Sequence, residues 1–147
     1  MVGQNLGARK YKRIPQILMT ASMCTLVIVL VYVAILVTSP QMVVGLFTSD
    51  AVILASVSII VLPSVVNSFG AVTRSFAFAI INGSGNSKLN LLVAIIDGII
   101  ARISLAYLLG FKAGMGPQGF WLGDALAGFV PFMIGLTYYL SGKWKES

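Results

Sequence analysis

Ile14 to Thr38 is a run of 25 residues without a single charged side chain. As a helix rising 1.5 Å per residue it is about 37 Å long, more than the ~30 Å hydrocarbon layer of a bilayer. It is also too long for the apolar core of a secretory signal, which spans about 7–15 residues. A run of this kind constrains the chain more than any other feature does, because in lipid only a closed helix or barrel satisfies the backbone. Composition agrees: 58% of residues are apolar, 10% are charged, and the mean hydropathy is +0.96. Soluble domains carry about 25% charged residues, so a water-soluble enzyme, a disordered tail and a disulfide scaffold are all excluded.

The remaining apolar stretches complete an all-α membrane protein of four transmembrane helices, at residues 14–38, 50–81, 88–109 and 120–140. Pro15 falls in the first turn of the first helix, where its missing N–H costs nothing, and Ser39-Pro40 ends that helix. Ser49 and Asp50 are good caps for the second, and Pro63 is the expected site of a kink in it. Residues 82–87 form a polar, glycine-rich turn, residues 110–119 form the next loop, and Pro131 lies near the middle of the fourth helix.

Ten Lys/Arg against four Asp/Glu give a net charge of +6. In a soluble chain that excess suggests nucleic acid, but here the basic residues form no stripe. Arg9, Lys10, Lys12 and Arg13 precede the first helix, Lys88 lies in the turn before the third, and Lys143 and Lys145 follow the fourth. The opposite side holds Lys112 alone. The asymmetry places both termini in the cytoplasm of a cell-membrane protein, and it makes the lipid bilayer, with its anionic headgroups, the partner rather than nucleic acid. Trp121, Tyr138, Tyr139 and Trp144 suit interfacial belts.

The sequence contains no His and one Cys, Cys24. A Ser/His or Cys/His nucleophile is therefore excluded, zinc and haem lack ligands, and neither an enzyme nor a bound cofactor is expected. The chemistry lies in charges at depth: Arg74, Asp97 and Arg102. Each costs at least ~2.5–3.5 kcal/mol at a helix centre and needs a partner or water. Small residues recur every four positions in the second helix (Ala71, Ser75, Ala79, Gly83, after Asn67) and the third (Ala94, Gly98, then Ala106, Gly110, with Asn90 and Arg102 in the same register). Such seams let backbones approach in lipid, so the two helices are expected to form a tight hairpin about Gly85. In that hairpin Arg74 and Asp97 lie at one depth, about 17 Å from the turn, and are expected to pair. Arg102 lies about 140° around the helix from Asp97 and has no acid at its level. Asp124 reads as a first-turn or interfacial residue. Asn67, near Gly70 and Pro63, marks a segment of the kind where transporters coordinate ions.

Four segments resemble the multidrug and toxic compound extrusion (MATE) family. Met1-Val2-Gly3-Gln4-Asn5-Leu6-Gly7-Ala8 and the basic residues after it are similar to that family's loop after the eighth helix. Leu46-Phe47-Thr48-Ser49-Asp50 is similar to its approach to the tenth. Ile81-Asn82-Gly83-Ser84-Gly85-Asn86-Ser87-Lys88 resembles its loop between the tenth and eleventh, and Gly116-Pro117-Gln118-Gly119-Phe120-Trp121-Leu122-Gly123 its entry to the twelfth. The resemblance implies part of the second lobe of a twelve-helix, two-lobe antiporter. Such a protein exports small organic cations or drugs in exchange for Na⁺ or H⁺ and works with the remaining helices of a full-length transporter. An acid that some members use in the tenth helix has no counterpart here, since that helix carries only Asn67 and Arg74 at depth. Asp97 is thus a candidate cation-site residue on physical grounds alone, and Arg74, Asn67 and Arg102 are the other candidates for cation or substrate binding. Three other readings stay open: a truncated, non-transporting remnant, a self-contained four-helix exporter that associates with its own copy, and a lipid-linked sugar flippase.

Overall fold

The computed structural model describes residues 1–145, which form helices and turns with no strand among them. In chain order the helices are α1 (Val2–Gly7), α2 (Ile14–Thr38), α3 (Pro40–Gly45), α4 (Ala51–Ala55), α5 (Val57–Gly83), α6 (Ser87–Ile95), α7 (Arg102–Tyr107), α8 (Gly116–Ala127) and α9 (Val130–Leu140). π-Helical stretches, Ile96–Ala101 and Leu108–Lys112, flank α7 and make α6 to Lys112 one continuous rod. Four segments are long and apolar enough to cross a bilayer: Tyr11–Thr38, Val57–Gly83, Ser87–Lys112 and Gly116–Leu140.

Local chemistry explains most of the boundaries. Pro15 lies in the first turn of α2, and Ser39 leaves helical geometry with φ −142°. The Asp50 carboxylate caps α4, its Oδ1 accepting from Val52 N at 2.8 Å and Ile53 N at 3.4 Å. The second span is interrupted at Ser56, not at Pro63, through which α5 runs unbroken. The fourth span is broken by its proline. Pro131 has no N–H to give the carbonyl of Ala127 and its ring crowds that oxygen. Accordingly α8 stops at Ala127, Gly128-Phe129 form a turn, and Pro131 joins the first turn of α9.

The expected hairpin between the second and third spans does not form as a tight pair. Each packs chiefly on the fourth span, which lies between them, and α5 also lies along α2. Glycine on the fourth span is the reason. A Cβ on Gly123 would come within 2.5 Å of Ala106 N, one on Gly119 within 2.5 Å of the Leu109 carbonyl, and one on Gly135 within 2.6 Å of the Ala77 Cβ. These approaches allow the backbone contact that drives association in lipid. Of the third-helix seam, only its second half is used, where Ala106 meets Gly123 and Gly110 meets the Phe120 ring. Ala94 and Gly98 are exposed, and Gly98 has no neighbour within 4 Å of its would-be Cβ.

Among the described residues, the buried apolar cluster gathers at one end of the bundle, around Val2, Leu6, Ile14, Leu18, Ile80, Ile81, Val93, Tyr138 and Trp144. Tyr138 Oη donates to Ser84 Oγ at 3.0 Å, tying the fourth span to the 82–87 turn. Tyr11 packs edge-on against Trp144, so the two chain ends meet there. The Arg9–Arg13 stretch, Lys88, Lys143 and Lys145 therefore share that end. Away from it, α2 buries only Val29 and Leu36 and exposes Val27, Ile28, Leu30 and Val31, as a lipid-facing helix does.

Candidate functional site

Asp97, Arg102 and Asp124 come together where the third span meets the fourth. Arg102, the first residue of α7, donates from Nη1 to Asp124 Oδ1, a close charge-assisted contact. Its Nη2 lies 3.7 Å from Asp97 Oδ1. Asp97 is 7% exposed, and its Oδ1 is buried without a hydrogen-bond partner. The Asp124 side chain is 44% exposed, so the two carboxylates occupy unlike surroundings. If both are ionised, the three groups sum to one negative charge.

Two features of the backbone build this arrangement. In an α-helix Asp97 and Arg102 diverge, but the π stretch Ile96–Ala101 replaces the i→i+4 ladder with wider i→i+5 turns. Residues five apart then share a face. This is the reason the expected poor contact between Asp97 and Arg102 is a contact after all. On the fourth span, Gly123 seats against Ala106, one α-turn beyond Arg102, and its neighbour Asp124 is carried to the guanidinium. Asp124, which the sequence reads as a first-turn or interfacial residue, is instead part of this charged cluster. The available signal was the Gly119–Gly123 spacing, which sets the register of the two spans and with it the level of Asp124.

The expected Arg74–Asp97 pair does not form. Arg74 faces the break in the fourth span, where its Nη2 would lie 2.3 Å from a Cβ on Gly128. Its Nη2 donates to Asn67 Oδ1 at 3.4 Å, two α-turns back along α5, and its Nε is buried without a partner. The cause is the packing order: with the fourth span between the second and third, Arg74 meets α8 and α9, not α6. The four residues named from sequence thus fall into two places, Asn67 with Arg74 and Asp97 with Arg102. Only the second place contains carboxylates.

A model of the MatE family matches residues 1–108. The chain belongs to the MatE family. No curated protein and no solved structure gives a significant match. MatE proteins are transporters rather than enzymes, and the four apolar helices fit a membrane protein of that family. The matched stretch of the MatE chain contains Asn67, Arg74, Asp97 and Arg102, while Asp124 lies beyond it.

Proposed function

We propose that the chain is the C-terminal portion of a MATE-type multidrug efflux antiporter, exporting small organic cations or drugs in exchange for Na⁺ or H⁺. The observation that carries this reading is the charge imbalance at depth. Two carboxylates share one guanidinium, and the more deeply buried one, Asp97, has an oxygen without a hydrogen bond. A buried carboxylate in lipid calls for a positive partner, and a proton or Na⁺ supplies it. Asp97 is then the coupling residue, Asp124 its more accessible companion, and Arg102 the group that holds the two in register. Arg74 carries the wrong sign to receive a cation. With Asn67 it is assigned to positioning the break in the fourth span. The basic end faces the cytoplasm, by the positive-inside rule.

A second reading concerns partners, and a specific observation favours it. Gly98 and Ala94 present an open small-residue seam, a surface suited to another helix. Further helices of a full-length transporter or a second copy of this chain fill it equally well. The test is ethidium efflux from cells expressing the chain, alone and joined to the first eight helices of a MatE transporter, with and without Asp97→Asn. The reading expects efflux that collapses on Asp97→Asn under a Na⁺ or H⁺ gradient. Efflux by the chain alone selects the self-associating copy. Full efflux in the Asp97→Asn variant overturns the assignment of Asp97, and no efflux in either format leaves the non-transporting remnant as the reading.

A further inference from the structure

We infer that the basic end of the bundle is a built site for one anionic phospholipid, its phosphate on the Arg9–Arg13 turn and an acyl chain in the apolar groove beside it. The turn borders an open hollow of about 430 Å³ lined by Arg9, Lys10, Tyr11, Lys12 and Arg13. Arg9 adopts φ 55°, a left-handed conformation that residues with a Cβ seldom take. The sequence places four cations in these five residues, and the bend turns the stretch back on the end of α1. The backbone holds the bend through Lys10 N donating to Asn5 O at 2.8 Å and Arg13 N to Lys10 O at 3.0 Å. Like charges held this close repel unless an anion lies among them. Among the described residues every ion pair involves Arg102, so the turn has no carboxylate of its own there; Glu146 lies outside the described residues.

The groove gives the anion its chemistry. A furrow of about 450 Å³ runs between α2, α5 and α9, with Pro15, Met19, Met23, Phe76, Phe132 and Tyr139 in its walls. It extends along α2 from Pro15 to Leu26, eleven residues or about 16 Å. That is close to half the ~30 Å hydrocarbon layer, the depth of one leaflet. Three rings bridge the hollow to the furrow. Tyr11, in the wall of the hollow, meets Trp144 with centroids 6.1 Å apart, and Trp144 stacks on Tyr139 at 5.6 Å and 5°. Lys145 Nζ lies over the Trp144 ring at 5.4 Å, adding a cation at the junction. A cationic hollow linked through three rings to a leaflet-deep apolar furrow matches a phospholipid with a net negative headgroup. A soluble anion has no use for the furrow, and a zwitterionic lipid has none for the four charges.

The test uses the full chain carrying Trp121→Phe, so that Trp144 is the remaining tryptophan, reconstituted in phosphatidylcholine vesicles. Acyl-brominated phosphatidylglycerol is titrated in and fluorescence quenching recorded, with brominated phosphatidylcholine as the comparison. Phosphatidylglycerol is expected to quench at the lower mole fraction. Neutralising Lys12→Gln or Arg13→Gln, both exposed, should lower that preference about fivefold each, the factor of one surface charge near anionic lipid. Ser22→Phe, which narrows the furrow, should weaken quenching by phosphatidylglycerol. Equal quenching by both lipids, or a preference unmoved by the two neutral variants, overturns the site. Displacement of the lipid by millimolar inorganic phosphate also overturns it, because the hollow would then hold a free anion without need of a chain.

Discussion

Replacing Arg102 by glutamine should destabilise the bundle mainly through Asp97, although Asp124 makes the closer contact. Two magnitudes compete. Removing one partner of a buried ion pair costs ~3–5 kcal/mol in soluble proteins, whereas polar contacts between helices in a bilayer average about 0.6 kcal/mol. The outcome depends on where each carboxylate goes once the guanidinium is absent. Asp124, 44% exposed, turns to water or headgroups, and its pairing is discounted accordingly. The Asp97 side chain is 10% exposed and held inside a π turn, so it has no such exit. The expected loss is therefore about 2–4 kcal/mol, bracketing the insertion cost of a lone charge at depth. A double-mutant cycle in mixed micelles, read by helix content against a denaturing detergent, separates the two partners. Arg102→Gln with Asp97→Asn should recover at least half of the loss, and Arg102→Gln with Asp124→Asn less than about 1 kcal/mol of it. Equal or better rescue by Asp124→Asn would falsify the argument, as would a cycle with no coupling to Asp97.

Three glycines and one cap give further tests by thermal unfolding in detergent. Gly123→Ala places a Cβ 2.5 Å from the Ala106 backbone, which cannot yield locally, so the third and fourth spans must part at a cost of about 1–3 kcal/mol. Gly98→Ala meets nothing within 4 Å and should be neutral or stabilise by up to about 1 kcal/mol; a loss as large as that of Gly123→Ala would show that the seam is occupied. Gly128→Ala meets the mobile tip of Arg74 at 2.3 Å, so unfolding should move by under about 1 kcal/mol while transport changes, because the guanidinium must leave its place against the break. Asp50→Ala removes the acceptor for Val52 N and Ile53 N and should cost about 1 kcal/mol, lost as fraying of the short α4.

The elements were legible in the sequence and the neighbours were not, and the bilayer explains the difference. Charge-free length defines a span because an unpaired backbone group in hydrocarbon is costly, which is why α2 falls at Ile14–Thr38 as read and Asp50 caps where expected. Partner choice has no such term, since lipid tails are as apolar as leucine and a seam of small residues fits several helices alike. The Asn67–Gly83 and Asn90–Gly110 seams therefore marked surfaces capable of close approach without naming the surface opposite. What discriminates is a glycine facing backbone, and the fourth span brings three such glycines, Gly119, Gly123 and Gly135. Once it takes the central place, the charged pairs are redistributed as a consequence: Arg74 is separated from Asp97, and Asp124 is delivered to Arg102. The π stretch was equally hidden, for Ile96–Ala101 carries no proline and a single glycine, and its helical sequence differs little from its neighbours. Its trace is energetic. An α-helical Asp97 would face away from the only guanidinium in reach on its own span, and in lipid the pairing of that charge is worth more than one regular turn of hydrogen bonds.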